Sequence, residues 1–326
     1  MVSICCLVYN HEKYLRDCLE GFINQKTNFK FEILIHDDAS TDLSTKIIKK
    51  YEEKYPDIIK PIYQKENQYS KGVKISWKYQ YPRARGKYIA LCEGDDYWSD
   101  DRKLQKQFDV MEKNPDCVFS THKVEKIYED GTPMQEYIPL KEMNSGKIRQ
   151  IDFIKFLFTQ NINTFQTSSY FFRNECIKCF NNEIPEFIKI ATVGDRPLMM
   201  YMASLGNIYY INESMSRYRV GSIGSWTLKL TKDDRQKKYY ENSIVYSDEY
   251  NKYTGYKYNE YILKRKKENK FNIYLYEANI KKLYSTDYIK LFSELSLKRR
   301  IYYTMIGIFP GLKQVYKWLK EIKPSE

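Results

Sequence analysis

The chain is organised around residues 86–98, which run Gly86-Lys87-Tyr88-Ile89-Ala90-Leu91-Cys92-Glu93-Gly94-Asp95-Asp96-Tyr97-Trp98. The apolar run from 88 to 92 has the length of a buried strand and is too short for a typical helix. Three carboxylates follow within four residues, and they repel one another unless water, a proton or a cation compensates them. Open α/β sheets bind ligands at the carboxyl ends of their strands. The stretch therefore predicts either a metal-and-phosphate site or a solvated acidic turn.

Two similar units precede this stretch. Apolar runs at 2–8 and 31–35 predict strands, and each is followed by polar residues and an amphipathic helix. Asn10 is the expected cap of the first helix, and Ser40 or Thr41 that of the second. Strands that alternate with helices predict a doubly wound, mostly parallel sheet. Three polar clusters should then meet at one edge of this sheet: Tyr9-Asn10, Asp37-Asp38, and Glu93 to Asp96.

The rest of the chain continues the α/β pattern less regularly. Residues 61–63 predict a weak strand and 73–81 a short helix. Helices are expected at 100–113, 151–159 and 198–205, and strands at 118–128, 170–173, 208–211 and 215–220. Residues 132–150 are polar and predict a loop. From residue 228 onward the chain is rich in lysine and tyrosine and predicts mostly helix.

The composition is that of a folded protein whose excess charge lies near its C-terminal end. The 326 residues include 16% aromatics, and the net charge is +12. Residues 227–326 carry 22 basic and 12 acidic residues, whereas the first 226 are nearly neutral. The net positive charge of the whole chain therefore says little about what the front domain, residues 1–226, binds. The start has no basic segment typical of a signal peptide, and no apolar run approaches bilayer length, so a cytoplasmic protein is expected.

Taken together, these motifs resemble those of glycosyltransferase family 2 from bacterial surface-polysaccharide synthesis, over residues 1–226. The motifs that carry the resemblance are Val2-Ser3-Ile4 with Tyr9-Asn10, Phe31 to Asp42, Gly86 to Ala90 with Glu93 to Trp98, Lys103-Leu104, Thr167-Ser168-Ser169, Gly194-Asp195 with Pro197-Leu198, and Tyr218-Arg219-Val220. The resemblance implies a GT-A fold over 1–226, with a donor half at about 1–120 and an acceptor half at 121–226. Residues 227–326 would then form a basic, tyrosine-rich helical extension.

The resemblance also implies an activity, namely inverting transfer of a sugar from a nucleotide-diphosphate donor to a glycan or lipid-linked acceptor. UDP is the first candidate for the donor nucleotide. A divalent cation, Mn²⁺ or Mg²⁺, would offset the charge that grows on the leaving diphosphate. The implied metal ligands are Asp95 and Asp96, with Glu93 holding the donor sugar or a metal-bound water. The implied nucleotide contacts are Leu7, Tyr9, Asp37, Asp38 and Asp95, and the implied acceptor pocket contains Trp98, Thr167, Ser168 and Ser169.

Asp195 matches the position of the family's catalytic base. An Asp at a helix start, taken alone, is more often a cap, and the resemblance reverses that preference. Two positions depart from the family pattern. Glu93 stands where Asp is usual, and Gly221 stands where many relatives have a His that completes the metal site.

The basic C-terminal segment, residues 298–323, has an apolar face with lysines beside it. A basic amphipathic helix suits an anionic membrane surface. It could equally pack on the domain or on a second subunit, so a homo-oligomer is a further expectation.

Two other functions remain as alternatives. A sugar-phosphate nucleotidyltransferase would also join a nucleotide fold to acidic metal ligands, but it normally needs a glycine-rich phosphate loop after the first strand. Residues 8–11, Val-Tyr-Asn-His, are not such a loop. A nucleic-acid-binding protein would show a basic front domain or a recognisable motif, and neither is present.

Overall fold

A computed structural model describes residues 1–159, 165–178, 183–222 and 235–312. The described part contains one central sheet, whose strands lie in the order β3-β2-β1-β4-β9-β6-β10-β5, with β7 paired to β6 and β8 to β10. The strands are β1 Val2–Val8, β2 Phe31–Asp37, β3 Ile62–Tyr63, β4 Tyr88–Leu91, β5 Tyr97–Trp98, β6 Cys117–Ile127, β7 Pro133–Ile138, β8 Gly146–Ile148, β9 Phe171–Arg173 and β10 Asn207–Arg219.

The helices flank this sheet and continue beyond its last strand. They are α1 Leu15–Ile23, α2 Ser44–Lys54, α3 Lys103–Lys113, α4 Gln150–Thr159, α5 Glu175–Lys178, α6 Glu186–Ile190, α7 Asp195–Leu205, α8 Arg235–Tyr253, α9 Asn259–Glu277, α10 Ile280–Leu283, α11 Ile289–Ser293 and α12 Leu297–Ile308. None of the helices in the described ranges has the length and apolar character needed to cross a bilayer.

The first half of the sheet confirms the expected α/β pattern. Strands β3, β2, β1 and β4 are all parallel, with Val8 opposite Asp37 and Cys5 opposite Leu91. Beyond β4 the sheet becomes mixed, because β9 is antiparallel to both β4 and β6. The carboxyl ends of β1, β2 and β4 therefore share one edge, which places the three polar clusters together.

Several predicted elements differ in the structure. Residues 132–150 contain β7 and β8, which look like loop in sequence because an edge strand such as β7 exposes most of its side chains. The two strands expected at 208–211 and 215–220 are one strand, β10, with irregular pairing between Ile211 and Ser216. Residues 73–81 form a π-helical turn, Ser76–Gln80, followed by a 3₁₀ turn, instead of a regular helix.

The predicted helix caps are also different. Asn10 has a positive φ of 58° and lies before α1, and its side-chain oxygen accepts a hydrogen bond from the Thr41 N–H. The N-cap of α2 is Leu43, which makes no side-chain capping hydrogen bond, so neither Ser40 nor Thr41 caps this helix; Asp42 Oδ1, one residue earlier, accepts from the Ser44 N–H. Both differences arise because the turns after β1 and β2 bind each other before their helices begin.

The core lies on both faces of the sheet, as the alternation along β1 requires. One cluster contains Cys6 and packs against α1, α2 and α3. The other contains Cys5 and packs against α4, α6 and α7. Tyr246 and Tyr250 of α8 and Ile262 of α9 belong to this second cluster. The helices after the predicted boundary at 226 therefore complete the same core, while residues 313–323 of the predicted tail helix lie outside the described residues.

Candidate active site

The site is built where the ends of β1 and β4 are held together by backbone hydrogen bonds. Gly94 N–H donates to Leu7 O at 2.9 Å, and Asp38 N–H donates to Val8 O at 2.9 Å. A Cβ on Gly94 would lie 2.8 Å from His11 Nδ1, so a side chain at this position would push the two turns apart. The glycine between Glu93 and Asp95 therefore lets the acidic turn lie against β1. Leu7 and Tyr9, two predicted nucleotide contacts, border this turn, and Tyr9 is exposed.

The three carboxylates of the acidic turn form one cluster. Glu93, Asp95 and Asp96 each place a carboxylate oxygen within 4.8 Å of the other two. Burial, together with the charges of Asp95 and Asp195, raises the pKa of Glu93 to about 8. So close a group of acids needs a proton or a cation, and oxygen ligands at this spacing suit Mg²⁺ or Mn²⁺. The residues present thus fit a divalent cation.

The members of the cluster are not equally available to a ligand. Asp96 is 1% exposed, and both its oxygens are engaged: Oδ2 accepts from Gln166 Nε2 at 2.6 Å, and Oδ1 from the Arg219 N–H at 2.9 Å. Asp95 is half-buried, and its Oδ2 accepts from the Ser222 hydroxyl at 2.7 Å. Asp96 therefore points into the protein while Asp95 keeps an accessible carboxylate, and metal binding by either aspartate stays a prediction.

The residues expected to line an acceptor pocket are mostly internal. Trp98, Ser168 and Ser169 are 3%, 0% and 0% exposed, and Thr167 is the half-buried exception. Trp98 Nε1 donates to Ser168 O at 2.9 Å, and the Ser168 N–H donates to Gln166 Oε1. Trp98, Ser168 and Ser169 therefore expose almost no surface in this structure, and their contact with an acceptor stays a prediction. They form a hydrogen-bonded layer beneath the acidic cluster and hold Gln166 against Asp96.

Arg219 is a functional residue that sequence reasoning noted only as part of a motif. Its N–H binds Asp96, its Nε donates to Asp95 O at 3.2 Å, and its guanidinium lies 4.7 Å from the centre of the Tyr14 ring. One residue at the end of β10 thus holds two successive aspartates. Gly221, two residues further along, has φ of 84°, and a Cβ built there would have no atom of the described residues within 4 Å. Among the described residues, none occupies the space beside Gly221, the position where the family resemblance places a His.

Asp37 and Asp38, the predicted base contacts, both hold nearby turns. Asp37 Oδ1 accepts from the Ser40 N–H and Oδ2 from the Thr45 hydroxyl. Asp38 accepts from the backbone N–H groups of Gln68 and Tyr69, at 2.7 and 3.0 Å. Both carboxylates are buried. Each carboxylate oxygen of Asp37 and Asp38 already accepts a hydrogen bond in this structure, so their contact with a base stays a prediction.

Tyr69 is the second residue that sequence reasoning missed. The turn at Tyr69–Lys71, held by Asp38, leaves its side chain 56% exposed. Partial desolvation raises the pKa of its phenol, and so do the negative charges of Glu93 and Asp195. The ring therefore lies near both the acidic turn and the start of α7. Only the folding back of this turn onto β2 places it there, and no sequence motif marks it.

Asp195 begins α7, and its side chain is exposed. The space between Asp195, Tyr69 and the acidic turn is called the cleft below. Its Oδ1 accepts from the Arg196 N–H at 2.7 Å, and the surrounding protein raises its pKa. The Asp195 charge also helps to raise the pKa of Glu93. The structure thus brings the predicted base and the acidic turn, which are 102 positions apart in the chain, into one electrostatic environment.

The comparison with protein families now identifies the class. The model of Glycosyl transferase family 2 matches residues 3–177. The chain belongs to this family, which confirms the resemblance seen in the sequence. Among the described residues, nothing favours the nucleotidyltransferase or nucleic-acid-binding alternatives.

Individual relatives agree with the family. The chain is 34% identical over 240 residues to an uncharacterized protein of Mycobacterium tuberculosis, covering 72% of this chain and 63% of that protein. It is 32% identical over 142 residues to the putative teichuronic acid biosynthesis glycosyltransferase TuaG of Bacillus subtilis, covering 44% and 54% of the two chains. The match thus spans less than two thirds of the length of these relatives.

Solved structures show the same fold. TarS of S. aureus in complex with UDP-GlcNAc matches with a TM-score of 0.58 at 17% identity, covering 76% of this chain and 66% of that one. The mannosyltransferase PcManGT of Pyrobaculum calidifontis, in complex with GDP-Man and Mn²⁺, matches with a TM-score of 0.50 at 12% identity, covering 95% and 87%. The fold is therefore that of the GT-A glycosyltransferases.

Proposed function

We propose that this protein is a metal-dependent, inverting glycosyltransferase. It would move a sugar from a nucleotide-diphosphate donor to a glycan or lipid-linked acceptor of bacterial surface-polysaccharide synthesis. UDP is the first candidate for the donor nucleotide. The observation that carries the proposal is the shared cleft of Glu93, Asp95 and Asp195. The UDP-GlcNAc bound in the TarS complex supports a UDP-sugar donor. The name of the relative TuaG, a putative teichuronic acid biosynthesis glycosyltransferase, supports surface-polysaccharide synthesis as the pathway class.

Asp95 is the main candidate for holding the cation, with Glu93 as its neighbour in the cluster. Asp95 keeps an accessible carboxylate, whereas Asp96 is used by Gln166 and Arg219. When bound, Mn²⁺ or Mg²⁺ would offset the negative charge that grows on the leaving diphosphate. Asp96 would then fix the direction of the turn, because its two hydrogen bonds hold the backbone on which Asp95 sits.

Asp195 would act as the general base. Its carboxylate would take the proton of the acceptor hydroxyl while the hydroxyl oxygen forms a bond to the anomeric carbon and the bond to the diphosphate oxygen breaks. Attack from the face opposite the leaving group inverts the anomeric configuration. The pKa of Asp195, which desolvation by the surrounding protein raises, makes its carboxylate a better proton acceptor than that of an ordinary aspartate.

The nucleoside would lie against the turn after β1, where Leu7 and Tyr9 border the cleft. Asp38 would contribute through the Gln68–Tyr69 turn that it holds, and Tyr69 would face the donor from that turn. Asp37 is assigned to the turn between β2 and α2, since both its oxygens bind groups of that turn.

The test is Asp195→Asn, with Asp152→Asn as the matched control. Asp152, in the first turn of α4, is likewise an exposed acid at a helix start, and it pairs with Arg149 just before that helix. We expect Asp195→Asn to lower the rate of sugar transfer by about 10² to 10⁴, the range of general-base contributions. Thermal stabilisation by the UDP-sugar with Mn²⁺ should persist.

The donor is chosen first from a panel of nucleotide sugars by thermal shift, with and without Mn²⁺. Transfer is then measured with a synthetic lipid-linked acceptor. Undiminished transfer by Asp195→Asn would remove this residue from the mechanism. Failure of every donor to stabilise the native protein would contradict the proposed function itself.

A further inference from the structure

An exposed apolar stripe runs along α12, far along the chain from the catalytic motifs. Leu297, Ile301, Met305 and Ile308 are 64%, 55%, 43% and 55% exposed. At about 100° per residue, these four side chains fall within roughly 80° of one another around the helix axis. Isolated surface leucines are ordinary, but an aligned row of large apolar side chains indicates a binding surface.

Basic residues lie on both sides of this stripe. On the same helical projection Lys298 lies about 20° beyond the stripe on one side, and Arg300 about 60° beyond it on the other. Arg299 follows further round the helix, with its guanidinium 5.9 Å from the centre of the Tyr303 ring. Over residues 280–312 there are six basic and two acidic residues. The apolar surface is therefore framed by positive charge.

The apolar surface continues onto the neighbouring helix. Tyr284 and Ile289 are 50% and 39% exposed and line a groove of about 410 Å³ between α11 and α12. Leu297, Ile301 and Met305 form the other wall of the groove, and Arg300 also borders it. The stripe and the groove thus form one surface, which we call the α12 surface.

The opposite side of α12 is fixed to the protein. Ile306 is 4% exposed. A Cβ on Gly307 would lie 2.5 Å from Ala278 O and 2.3 Å from a side-chain atom of Ile280, so only glycine allows the helix to approach α9 and α10 this closely. This close contact orients the helix, and the apolar stripe consequently faces outward.

We propose that the α12 surface binds an anionic lipid membrane, with α12 lying in the plane of the interface. A helix of 12 residues is about 18 Å long, too short to cross a hydrocarbon core of about 30 Å. Apolar side chains framed by lysine and arginine are the arrangement that inserts between lipid headgroups and binds their phosphates. The charge also decides against a second copy, because self-association through this surface would bring two sets of cations together.

Membrane binding would add to the proposed function. Only its advantage to the enzyme depends on that function. An enzyme that uses a lipid-linked acceptor would meet that acceptor at the surface to which it is bound. Vesicle binding itself requires neither a donor nor catalysis. The result of a binding experiment is therefore separate from the result of the transfer assay.

The experiment is co-sedimentation of the full chain with vesicles. Vesicles of phosphatidylcholine with phosphatidylglycerol are compared with vesicles of phosphatidylcholine alone, at low and at physiological salt. We expect binding to the anionic vesicles only, weakening as the salt rises. Ile301→Asp with Met305→Asp should lower the affinity at least tenfold, because two apolar contacts are replaced by charges that the lipid repels. Val245→Asp with Leu263→Asp, at equally exposed positions on α8 and α9, is the control.

A second pair of variants tests the role of charge. Lys298→Glu with Arg299→Glu should lower the affinity about tenfold or more, because each cation near the membrane contributes about a fivefold factor. Lys46→Glu with Lys50→Glu makes the same charge change on exposed positions of α2 and should have little effect. All the substituted positions are exposed, so we expect every variant to fold. An unchanged thermal unfolding curve checks this for each one.

Three results would overturn the inference. The first is equal binding to neutral and anionic vesicles, and the second is an equal loss in the control pairs. The third is a dimer that forms without vesicles and dissociates in Ile301→Asp with Met305→Asp, since the α12 surface would then bind a second copy of the chain.

Discussion

Asp95 and Asp96 are adjacent in the chain and have opposite environments. Asp96 is buried and accepts one hydrogen bond on each oxygen, whereas Asp95 is half-buried and faces Ser222. The hydrogen bonds that Gln166 and Arg219 donate to Asp96 hold its side chain inward, whereas Asp95 has no such pair of donors among the described residues. The acidic motif therefore combines a structural carboxylate with a candidate ligand.

Exchanging each aspartate for asparagine separates these two roles. In Asp96→Asn the amide NH₂ must face either Gln166 Nε2 or the Arg219 N–H, both of which are donors. We expect the free energy of unfolding to fall by about 1–3 kcal/mol, the cost of an unsatisfied buried polar group. Asp95→Asn should change it by less than about 0.5 kcal/mol and abolish the thermal stabilisation by Mn²⁺.

Denaturant unfolding and a Mn²⁺ thermal titration of both variants measure the two effects. A stable Asp96→Asn that loses Mn²⁺ stabilisation, combined with an Asp95→Asn that keeps it, would reverse the assignment.

Lys103 is a buried cation that gives the protein a pH-dependent stability. It is 0% exposed, with Nζ 2.6 Å from Gln107 Oε1 and 4.0 Å from the centre of the Trp98 ring. Burial lowers its pKa to about 7, while Cys92 and Asp100 act in the opposite direction. The lysine of the unfolded chain keeps an ordinary pKa of about 10.4. Between these two values the unfolded chain binds a proton that the folded protein does not, so this group makes folding more favourable as the pH rises.

The comparison of wild type with Lys103→Met isolates this effect. We expect the free energy of unfolding of the wild type, minus that of Lys103→Met, to increase from pH 7 to pH 9.5 and to be flat below pH 6. Lys113→Met, at an exposed position of α3, is the control and should show no such increase. A difference that is constant across the whole range would mean that Lys103 keeps its ordinary pKa in the folded protein.

At the scale of elements, the backbone of the turn at residues 66–72 is held mainly by one side chain that follows β2, with a further hydrogen bond from the Tyr79 hydroxyl to Gln68. Asp38, just after β2, accepts from the N–H groups of Gln68 and Tyr69, and its own backbone carbonyl accepts from Asn67 Nδ2. The turn has no core of its own among the described residues, since none of its 3₁₀ residues is buried. Its position over the cleft therefore depends on Asp38.

Asp38→Ala should release this turn while leaving the sheet intact. We expect the backbone amides of residues 68 and 69 to exchange with deuterium at least tenfold faster, which corresponds to the loss of about 1.4 kcal/mol of protection. Asp57→Ala, an exposed aspartate after α2, is the matched control. Unchanged protection at residues 68 and 69 would show that the turn is held by other contacts.

At the scale of the whole molecule, residues of α8 and α9 pack into the second core cluster beside the sheet. The buried Tyr250 of α8 lies 5.1 Å from Phe187 and 5.9 Å from Phe158 between ring centres, and Ile262 of α9 is buried in the same cluster. These contacts join the C-terminal helices to α4 and α6. The two parts should therefore unfold together in a single transition.

Tyr250→Ala tests this coupling. Removing a buried aromatic ring should lower the free energy of unfolding by about 3 kcal/mol or more, within the range for large-to-small core changes. Val245→Ala, at an exposed position of the same helix, should change it by less than about 0.5 kcal/mol. Urea unfolding is followed both by circular dichroism and by the fluorescence of the tryptophans, which include Trp98 in the front half. Two separate transitions, with only one shifted, would show that the C-terminal helices form an independent unit.

The sequence by itself determined the α/β class, the parallel first strands, the acidic turn and the family, because these depend on local periodicity and on motifs within a few residues. Tertiary structure decided the rest. It brought Asp195 and Tyr69 into the cleft, turned Asp96 inward, and buried Trp98, Ser168 and Ser169 beneath the cluster. A sequence pattern does not show which side chains long-range packing will enclose, since burial depends on elements far apart in the chain. The same contacts, at Gly307 above all, leave the apolar stripe of α12 facing outward.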